Sequence, residues 1–380
     1  MIYADRSRDR GAPLIAVIES AGELFSEHRG VAVAAAERIR EALRDPPLTI
    51  LATLDRVLRD SARHRQLRRD FVSLDARELG RVDRLSPDDR RLALCLACSL
   101  RSGYTRADAL RRLAMGFDPW VAGAAIVRLT DFVPAIAEDA WRILQAHMRP
   151  SKAAVFVRTL PLLDRLQSWT RATRAVAAIH ELLTRPSPLC ERALWDGARS
   201  EEPGLRLPAC RLLAERFGDD SKLGDVYALA LADPSPVTRR WAAESIVATR
   251  GADRELRRRF LPQLCEDRWP PIRRIAVRLW DCEPEGTPHL VAAAFDVNAG
   301  VRHLARVALA SRKAAVDYRG RALAALEASS SKAALLSALA TLSDFGRRSD
   351  RARVEALIDD PRARVAAQAR RTAELLAALP

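Results

Sequence analysis

The sequence has little glycine, few aromatic residues and almost no lysine. Only 16 of its 380 residues are glycine, 5% are aromatic, and lysine occurs only at positions 152, 222, 313 and 332. Alanine, leucine and arginine dominate instead, and these side chains lose little rotamer freedom in a helix. With 48% hydrophobic and 29% charged residues, the composition excludes a largely disordered chain. We therefore predict an all-α protein.

Cysteine and long apolar runs are also scarce. The six cysteines lie in apolar or helical stretches of a chain too large to depend on disulfides, which indicates a reducing compartment. The first ten residues lack the apolar core of a secretory signal, and the longest mainly apolar run, Leu92 to Leu100, is too short to cross a bilayer. The sequence therefore predicts a cytoplasmic protein without a membrane span.

Motifs for cofactors are missing as well. Cys95 and Cys98 have CxxC spacing, but no second pair or histidine lies nearby, so we interpret them as buried core residues. His180-Glu181 lacks the second histidine of a metalloprotease helix, and no glycine-rich phosphate loop of the Walker type occurs. We predict no cofactor and no metal.

The charge balance, in contrast, is strongly one-sided. The formal net charge is +14 and the sequence pI is about 10.4. Such an excess predicts attraction to nucleic acid, anionic membrane surfaces or acidic proteins. The preference for arginine over lysine is typical of GC-rich codon usage, but codon usage does not require an excess of base over acid.

A ten-residue phrase recurs in the second half of the chain. Its clearest copies are Asp233–Ala242, Asp267–Ala276 and Asp296–Ala305, whose closing alanines are 34 and 29 residues apart. Self-similarity at this period marks stacked supersecondary units. In the middle copy the apolar residues recur at i, i+3, i+4 and i+7, which predicts a helix with one buried stripe.

Weaker copies extend the repeat in both directions. They are Asp131–Ala140, Ser200–Ala209, a blurred unit at Ser329–Ala338, and a last unit that starts at Asp360. We therefore predict three parts: a frayed terminus at 1–13, an irregular helical part at 14–115, and repeats at 116–380. In the irregular part we expect helices near 14–28, 31–44, 47–60, 63–80, 87–101 and 105–115.

The phrase Asp-x-x-x-x-Val/Ile-Arg-x-x-Ala, on a helix-turn-helix unit of this period, resembles the HEAT repeat family and its bacterial HEAT-like relatives. The resemblance covers roughly residues 117 to 380 and implies an α-solenoid of stacked helix pairs. It also implies a ladder between adjacent repeats, with structural roles for Asp233, Arg239, Asp267, Arg273, Asp296 and Arg302. The family consists chiefly of scaffolds and adaptors, so the motif identifies a fold and not a ligand.

Five basic residues lie off the buried stripe of successive second helices: Arg240, Arg274, Arg278, His303 and Arg306. Stacking would align them into a basic track along the inner wall, able to meet phosphates or carboxylates. The alternative is an ordinary solvated face, paired with acids at i,i+4. Trp269 lies in a proline-rich turn between basic helices and is a candidate partner anchor, although packing is the usual role of the tryptophans.

An enzymatic alternative comes from a second resemblance. The stretch from residue 168 to residue 250 is similar in helix spacing to bacterial HEAT-like alkylpurine DNA glycosylases. Their reaction calls for an aromatic wall and a carboxylate. Trp169 is a candidate wall, but Arg171 and Arg174 stand where the family has an aspartate, and Pro208 stands where it has an arginine. These departures leave a non-catalytic nucleic-acid-binding relative as the alternative.

The sequence thus predicts a non-enzymatic scaffold that binds an acidic macromolecule through the second helices of residues 230 to 310. An acidic or helical protein is preferred over nucleic acid as the partner, because the phrase belongs to an adaptor fold.

Overall fold

The structure is a computed structural model, and it describes residues 16–17, 19–43, 48–59, 74–166, 170–218, 221–248, 254–328 and 331–380. Over these ranges the chain is helical and contains no β-strand, which confirms the predicted all-α class. The chain divides into two compact units, Met1–Val226 and Tyr227–Pro380. The predicted division near residue 115 therefore falls inside the first unit. The predicted terminus at 1–13 and most of the predicted helix at 63–80 lie outside the described residues.

The described helices of the first unit are α1 (Arg29–Ala42), α2 (Ile50–Arg59), α3 (Ala76–Leu79), α4 (Pro87–Ala97), α5 (Gly103–Leu113), α6 (Pro119–Arg128), α7 (Pro134–His147), α8 (Ala153–Arg158), α9 (Leu160–Leu166), α10 (Thr173–Thr184), α11 (Pro188–Ala198) and α12 (Pro203–Phe217). Helix α13 (Leu223–Leu231) spans the division between the units. Consecutive helices pack as pairs, among them α4 with α5, α6 with α7, and α11 with α12.

Local sequence explains where these helices begin. Ser86, Ser102 and Asp118 each accept a hydrogen bond from the backbone N–H three residues later, with distances of 3.2, 3.3 and 2.9 Å. Side-chain oxygens at this position satisfy N–H groups that the helix leaves unpaired. Several helices, α4 and α6 among them, also have proline in the first turn, where the missing N–H costs nothing.

The second unit contains α14 (Pro236–Ala248), α15 (Arg254–Glu266), α16 (Pro270–Cys282), α17 (Thr287–Ala293), α18 (Ala299–Ser311), α19 (Tyr318–Ala328), α20 (Lys332–Phe345), α21 (Arg351–Glu355) and α22 (Ala363–Ala377) among the described residues. Helices that follow each other along the chain pack as pairs: α15 with α16, α17 with α18, α19 with α20, and α21 with α22. The second helix of one pair also packs against the second helix of the next: α14 against α16, α16 against α18, and α20 against α22. Helices α18 and α20 are in less extensive contact.

The cores follow the predicted stripes. In the second unit Ile272, Ala276 and Leu279 of α16 are buried, as the i, i+4, i+7 spacing predicts. At its C-terminal end a separate cluster joins Leu339 of α20 to Val365 of α22. Among the helices that the structure describes, none is long and apolar enough to cross a membrane.

Candidate binding surface

The repeated arginine of the second helices forms a recurring contact, which we call a rung. Arg239, in the first turns of α14, donates from Nη1 to the carbonyl oxygens of Asp233 and Pro234, at 2.9 and 3.0 Å. Its Nε and Nη2 donate to the two carboxylate oxygens of Asp267, at 2.7 and 3.2 Å. The guanidinium therefore holds its own turn through one nitrogen and the turn before α16 through the other two. A planar five-donor fork makes this three-way contact, which lysine cannot reproduce.

The next repeat has the same rung. Arg273 of α16 donates from Nη1 to the carbonyl of Asp267 at 2.7 Å. Its Nε and Nη2 donate to Asp296 at 2.6 and 2.8 Å. Arg239 and Arg273 thus make the same contacts in two successive copies of the phrase.

Each of these turn aspartates accepts hydrogen bonds both from an arginine and from its own turn. Asp267 Oδ1 also accepts from the backbone N–H of Trp269 at 2.7 Å, and Asp296 Oδ1 accepts from that of Asn298 at 2.7 Å. A carboxylate has enough lone pairs to fix the turn that precedes a helix and to accept an arginine fork from the preceding repeat.

Arg302 of α18 occupies the same position but its rung is incomplete. Nη1 donates to the carbonyls of Asp296 and Val297 at 2.8 and 3.1 Å, as in the other repeats. Nε is buried without a hydrogen-bond partner, and Nη2 has none among the described residues. The residue is 8% exposed. Burial, followed by the nearby charge of Arg306, lowers the pKa of Arg302 from its ordinary value.

A groove of about 900 Å3 lies where this rung is incomplete. Arg302 lines it together with the first turns of α16 and α18 and one face each of α20 and α22. The groove contains five cationic side chains without a carboxylate partner among the described residues: Arg268, Arg302, Lys332, Arg364 and Arg371. Among the described lining residues Asp344 is the acidic one, and it is ion-paired to Arg306 at 2.5 Å. We call this the α18–α22 groove.

The predicted track residues differ in what they contact. Arg274 and Arg278 are exposed one turn apart on α16, and neither has an acid partner among the described residues. We call these two arginines the α16 strip. His303 is exposed on α18 at the position that corresponds to Arg274. A Cβ built at Gly300 would lie 3.7 Å from Arg274 Cδ and Nη1, so the Arg274 side chain reaches the first turn of α18.

The other predicted contact residues are engaged within the chain. Arg240 is exposed on α14 but pairs with Glu244 at 2.7 Å. The guanidinium of Arg306 pairs with Asp344 of α20 and lies 4.7 Å from the ring centroid of Phe345. Trp269 is half-buried directly before α16. The α16 strip is therefore the part of the predicted track that stands free of acidic partners.

The sequence analysis missed a rung in the first unit. Arg106 of α5 donates from Nη1 to the carbonyls of Leu100 and Arg101 at 2.9 and 2.7 Å, and from Nε and Nη2 to Asp131 at 2.8 and 2.9 Å. The signal was present as Thr105-Arg106-x-x-Ala109, 31 residues before Ala140, with threonine in place of valine or isoleucine. Threonine is β-branched like both, so the phrase reaches further towards the N-terminus than an apolar pattern shows.

This rung is part of a buried network. Arg128 donates to Asp131 at 3.0 Å and also pairs with Asp55 of α2. Arg106, Arg128 and Asp131 are 0 to 1% exposed. Each charge faces an opposite one, which is the condition for ionised groups in a protein interior.

The residues singled out for glycosylase chemistry have structural contacts instead. Trp169 lies outside the described residues. Arg171 donates to the carbonyl of Asp131 at 2.8 Å, the guanidinium of Arg174 lies 4.7 Å from the ring centroid of Trp141, and Pro208 is buried inside α12.

Cys95 on α4 and Cys98 directly after it are buried, as interpreted from the sequence. Burial raises the pKa of Cys98 to about 12 and also raises that of Cys95. In the part of the chain that the structure describes, no group of three or more metal-ligating side chains occurs.

Comparison with known proteins finds no family model that matches the chain and no curated protein similar to it in sequence.

Proposed function

We propose that this chain is a HEAT-like α-solenoid scaffold that binds an acidic protein through the α16 strip. The observation that carries the proposal is the exposure of Arg274 and Arg278 without acidic partners. Neighbouring basic residues such as Arg240 and Arg306 are neutralised within the chain, so the strip is selectively left available. The recurring rungs support the solenoid, because they hold successive second helices in one register.

The mechanism is electrostatic attraction to a preformed surface. Two rungs at the N-terminal end of α16 link it to α14 and to the turn before α18, so this end of the strip needs no ordering before binding. Exposed guanidinium groups attract carboxylates over about one Debye length, roughly 8 Å at physiological ionic strength. Binding of this kind is fast and weakens as salt is added. An acidic protein segment is preferred over nucleic acid because the strip is short and lies on an adaptor-like fold.

The test is fluorescence anisotropy of a labelled 20-residue poly-glutamate peptide, titrated with the full chain at several salt concentrations. Duplex and single-stranded 20-nucleotide DNA serve as the competing probes. The double variant Arg274→Glu/Arg278→Glu is expected to weaken peptide binding by about tenfold or more, since both attractive charges become repulsive.

A matched control variant separates the strip from net charge. Arg351→Glu/Arg353→Glu changes the charge by the same amount on α21, where both arginines are exposed and already paired with glutamates. It is expected to bind the peptide within about twofold of wild type. Equal losses in the two variants would show that net charge alone drives binding, and preferential binding of DNA would favour the nucleic-acid alternative.

A further inference from the structure

In the α18–α22 groove, Arg302 has the position of a rung arginine, but none of the described residues places a carboxylate against its Nε and Nη2. Arg239 and Arg273 use Nε and Nη2 for an aspartate three residues before the next second helix. The corresponding position before α20 is Ser329, in the run Ser329-Ser330-Ser331. The sequence thus lacks an aspartate at the step where two guanidinium nitrogens of Arg302 have no partner among the described residues.

The packing at this step agrees with the missing aspartate. Helices α14 and α16, and α16 and α18, are joined by a rung and pack closely, whereas α18 and α20 are less close and the groove opens beside them. Arg306 joins α18 to α20 one turn further along, through Asp344 and through Thr341 Oγ1 at 3.2 Å. That contact engages Asp344, so Asp344 and Asp296 favour the charged form of Arg302 through space, and neither carboxylate accepts a hydrogen bond from its Nε.

A buried arginine without a carboxylate in hydrogen-bond contact destabilises the folded chain, because no ion pair offsets the desolvation of its charge. Arg302 is more than nine-tenths buried and lines the groove. Lys332, Arg364 and Arg371 add positive charge to the same groove, whose wall also contains the exposed apolar side chains of Val297 and Leu375. The excess of unpaired cations fits an acidic segment, whose apolar side chains would contact Val297 and Leu375.

We propose that the α18–α22 groove binds an acidic segment of the partner protein, and that Arg302 takes one of its carboxylates with the fork geometry of a rung. The partner thereby supplies in trans the aspartate that the ladder lacks at Ser329. Lys332, Arg364 and Arg371 pair with further carboxylates along the segment. This inference rests on the proposed function and names the part of the partner that enters the second unit.

The test supplies the missing carboxylate in cis. Ser329→Asp places an aspartate in the register of Asp267 and Asp296, and Ser330→Asp adds the same charge one residue out of register. In anisotropy titrations with the poly-glutamate peptide, Ser329→Asp is expected to weaken binding by about tenfold, and Ser330→Asp by less than about threefold. Arg302→Gln is expected to weaken it by about tenfold as well.

Thermal unfolding gives a second readout that does not need the peptide. A closed rung stabilises the folded chain, so Ser329→Asp is expected to raise Tm by about 2 to 4 °C over Ser330→Asp. Equal Tm values and equal peptide affinities for these two variants would overturn the inference.

The outcomes for the inference and for the proposed function are distinguishable. If Arg274→Glu/Arg278→Glu loses the peptide while Arg302→Gln and Ser329→Asp bind like wild type, the strip stands and the groove proposal fails. If wild type binds no peptide but Ser329→Asp is more stable than Ser330→Asp, Arg302 is an open rung and both binding proposals fail. Tighter binding of inorganic phosphate or DNA than of the peptide, lost in Arg302→Gln, would overturn the choice of a carboxylate.

Discussion

The buried rung of the first unit and the rungs of the second unit use the same two side chains in the same register, but in different surroundings. Arg106 and Asp131 are 0 to 1% exposed and share their charge with Arg128. Arg239 and Asp267 retain 5 and 9% side-chain exposure and are linked mainly to each other and to their turns. The comparison shows that one sequence phrase can build either a core network or a joint between helix pairs.

The difference predicts how each region responds when a carboxylate is removed. In the first unit Asp131 balances two arginines that have no access to water, so its loss leaves uncompensated buried charge. In the second unit a broken rung lies close enough to the surface for water to solvate the remaining partner in part.

The largest effect is expected for Asp131→Asn. The variant leaves Arg106 and Arg128 with only Asp55 as a carboxylate partner among the contacts described above, and we expect a loss of about 3 to 5 kcal/mol in the free energy of unfolding. Urea denaturation followed by circular dichroism measures it. Asp88→Asn is the control, since that side chain is 81% exposed. A loss of less than about 1 kcal/mol for Asp131→Asn would show that the network is not integral to the core.

A smaller effect is expected for a rung of the second unit. Arg239→Gln removes the fork to Asp267 and should cost about 2 to 3 kcal/mol, while Arg240→Gln, one residue further, should cost about 0.5 kcal/mol or less. The two substitutions change the same charge on the same helix. Similar denaturation midpoints for both variants would contradict the assignment of Arg239 to a rung.

The incomplete rung of Arg302 should contribute less to the free energy of unfolding than the complete rung of Arg239. Arg302→Gln removes only two hydrogen bonds to backbone carbonyls, so we expect a loss of about 1 kcal/mol, clearly below that of Arg239→Gln. The same denaturation experiment measures the difference. A loss as large as for Arg239→Gln would mean that Arg302 already has a carboxylate partner.

The smallest effect concerns Asp350 and depends on pH. Hydrogen bonds from Arg319, at 2.6 and 2.8 Å, hold the pKa of Asp350 below its ordinary value of 3.8. Because the folded-state pKa is lowered, the contribution is complete above pH 3.8 and is lost as the pH falls through the folded-state pKa. Asp350→Asn should therefore lose more stability at neutral pH than in acid, and we expect this pH-dependent part of the loss to be about 1 kcal/mol or less. A difference between variant and wild type that is independent of pH would contradict this contribution.

The helices of the second unit were predictable because the phrase there is nearly unbroken, whereas the rungs were implied only by the family resemblance. The sequence predicted neither the rung at Arg106 nor the neutralisation of Arg306, whereas the pairing of Arg240 with Glu244 is the i,i+4 alternative stated for the track. The first was concealed by threonine at the branched position. The second depends on which acid each guanidinium reaches, and Asp344 comes to Arg306 from a helix 38 residues away. Helix periodicity specifies the buried face, but ion pairs across helices depend on packing that periodicity does not contain.

The open position at Arg302 was equally invisible to pattern analysis. The phrase matches at Asp296–Ala305, so Arg302 was assigned to the ladder with Arg239 and Arg273. Only the absence of an aspartate at Ser329, in a blurred copy of the repeat, distinguishes it. In the structure, two guanidinium nitrogens of Arg302 correspondingly lack partners among the described residues.

The most direct measurement of where the partner binds uses a thiol that the chain already carries. Cys282 is exposed and lies two turns after Arg274 and one turn after Arg278, on the same face of α16. Cys265 is half-buried with a pKa raised by burial, and the other four cysteines are buried, so a maleimide fluorophore labels Cys282 first.

Titration of this labelled chain with a poly-glutamate peptide carrying a nitroxide tests the central claim, that acidic partners bind along α16. We predict saturable quenching with the same midpoint as the anisotropy titration, and its loss in Arg274→Glu/Arg278→Glu. Saturable binding of the peptide without quenching beyond that of free nitroxide would place the binding surface elsewhere and contradict the account.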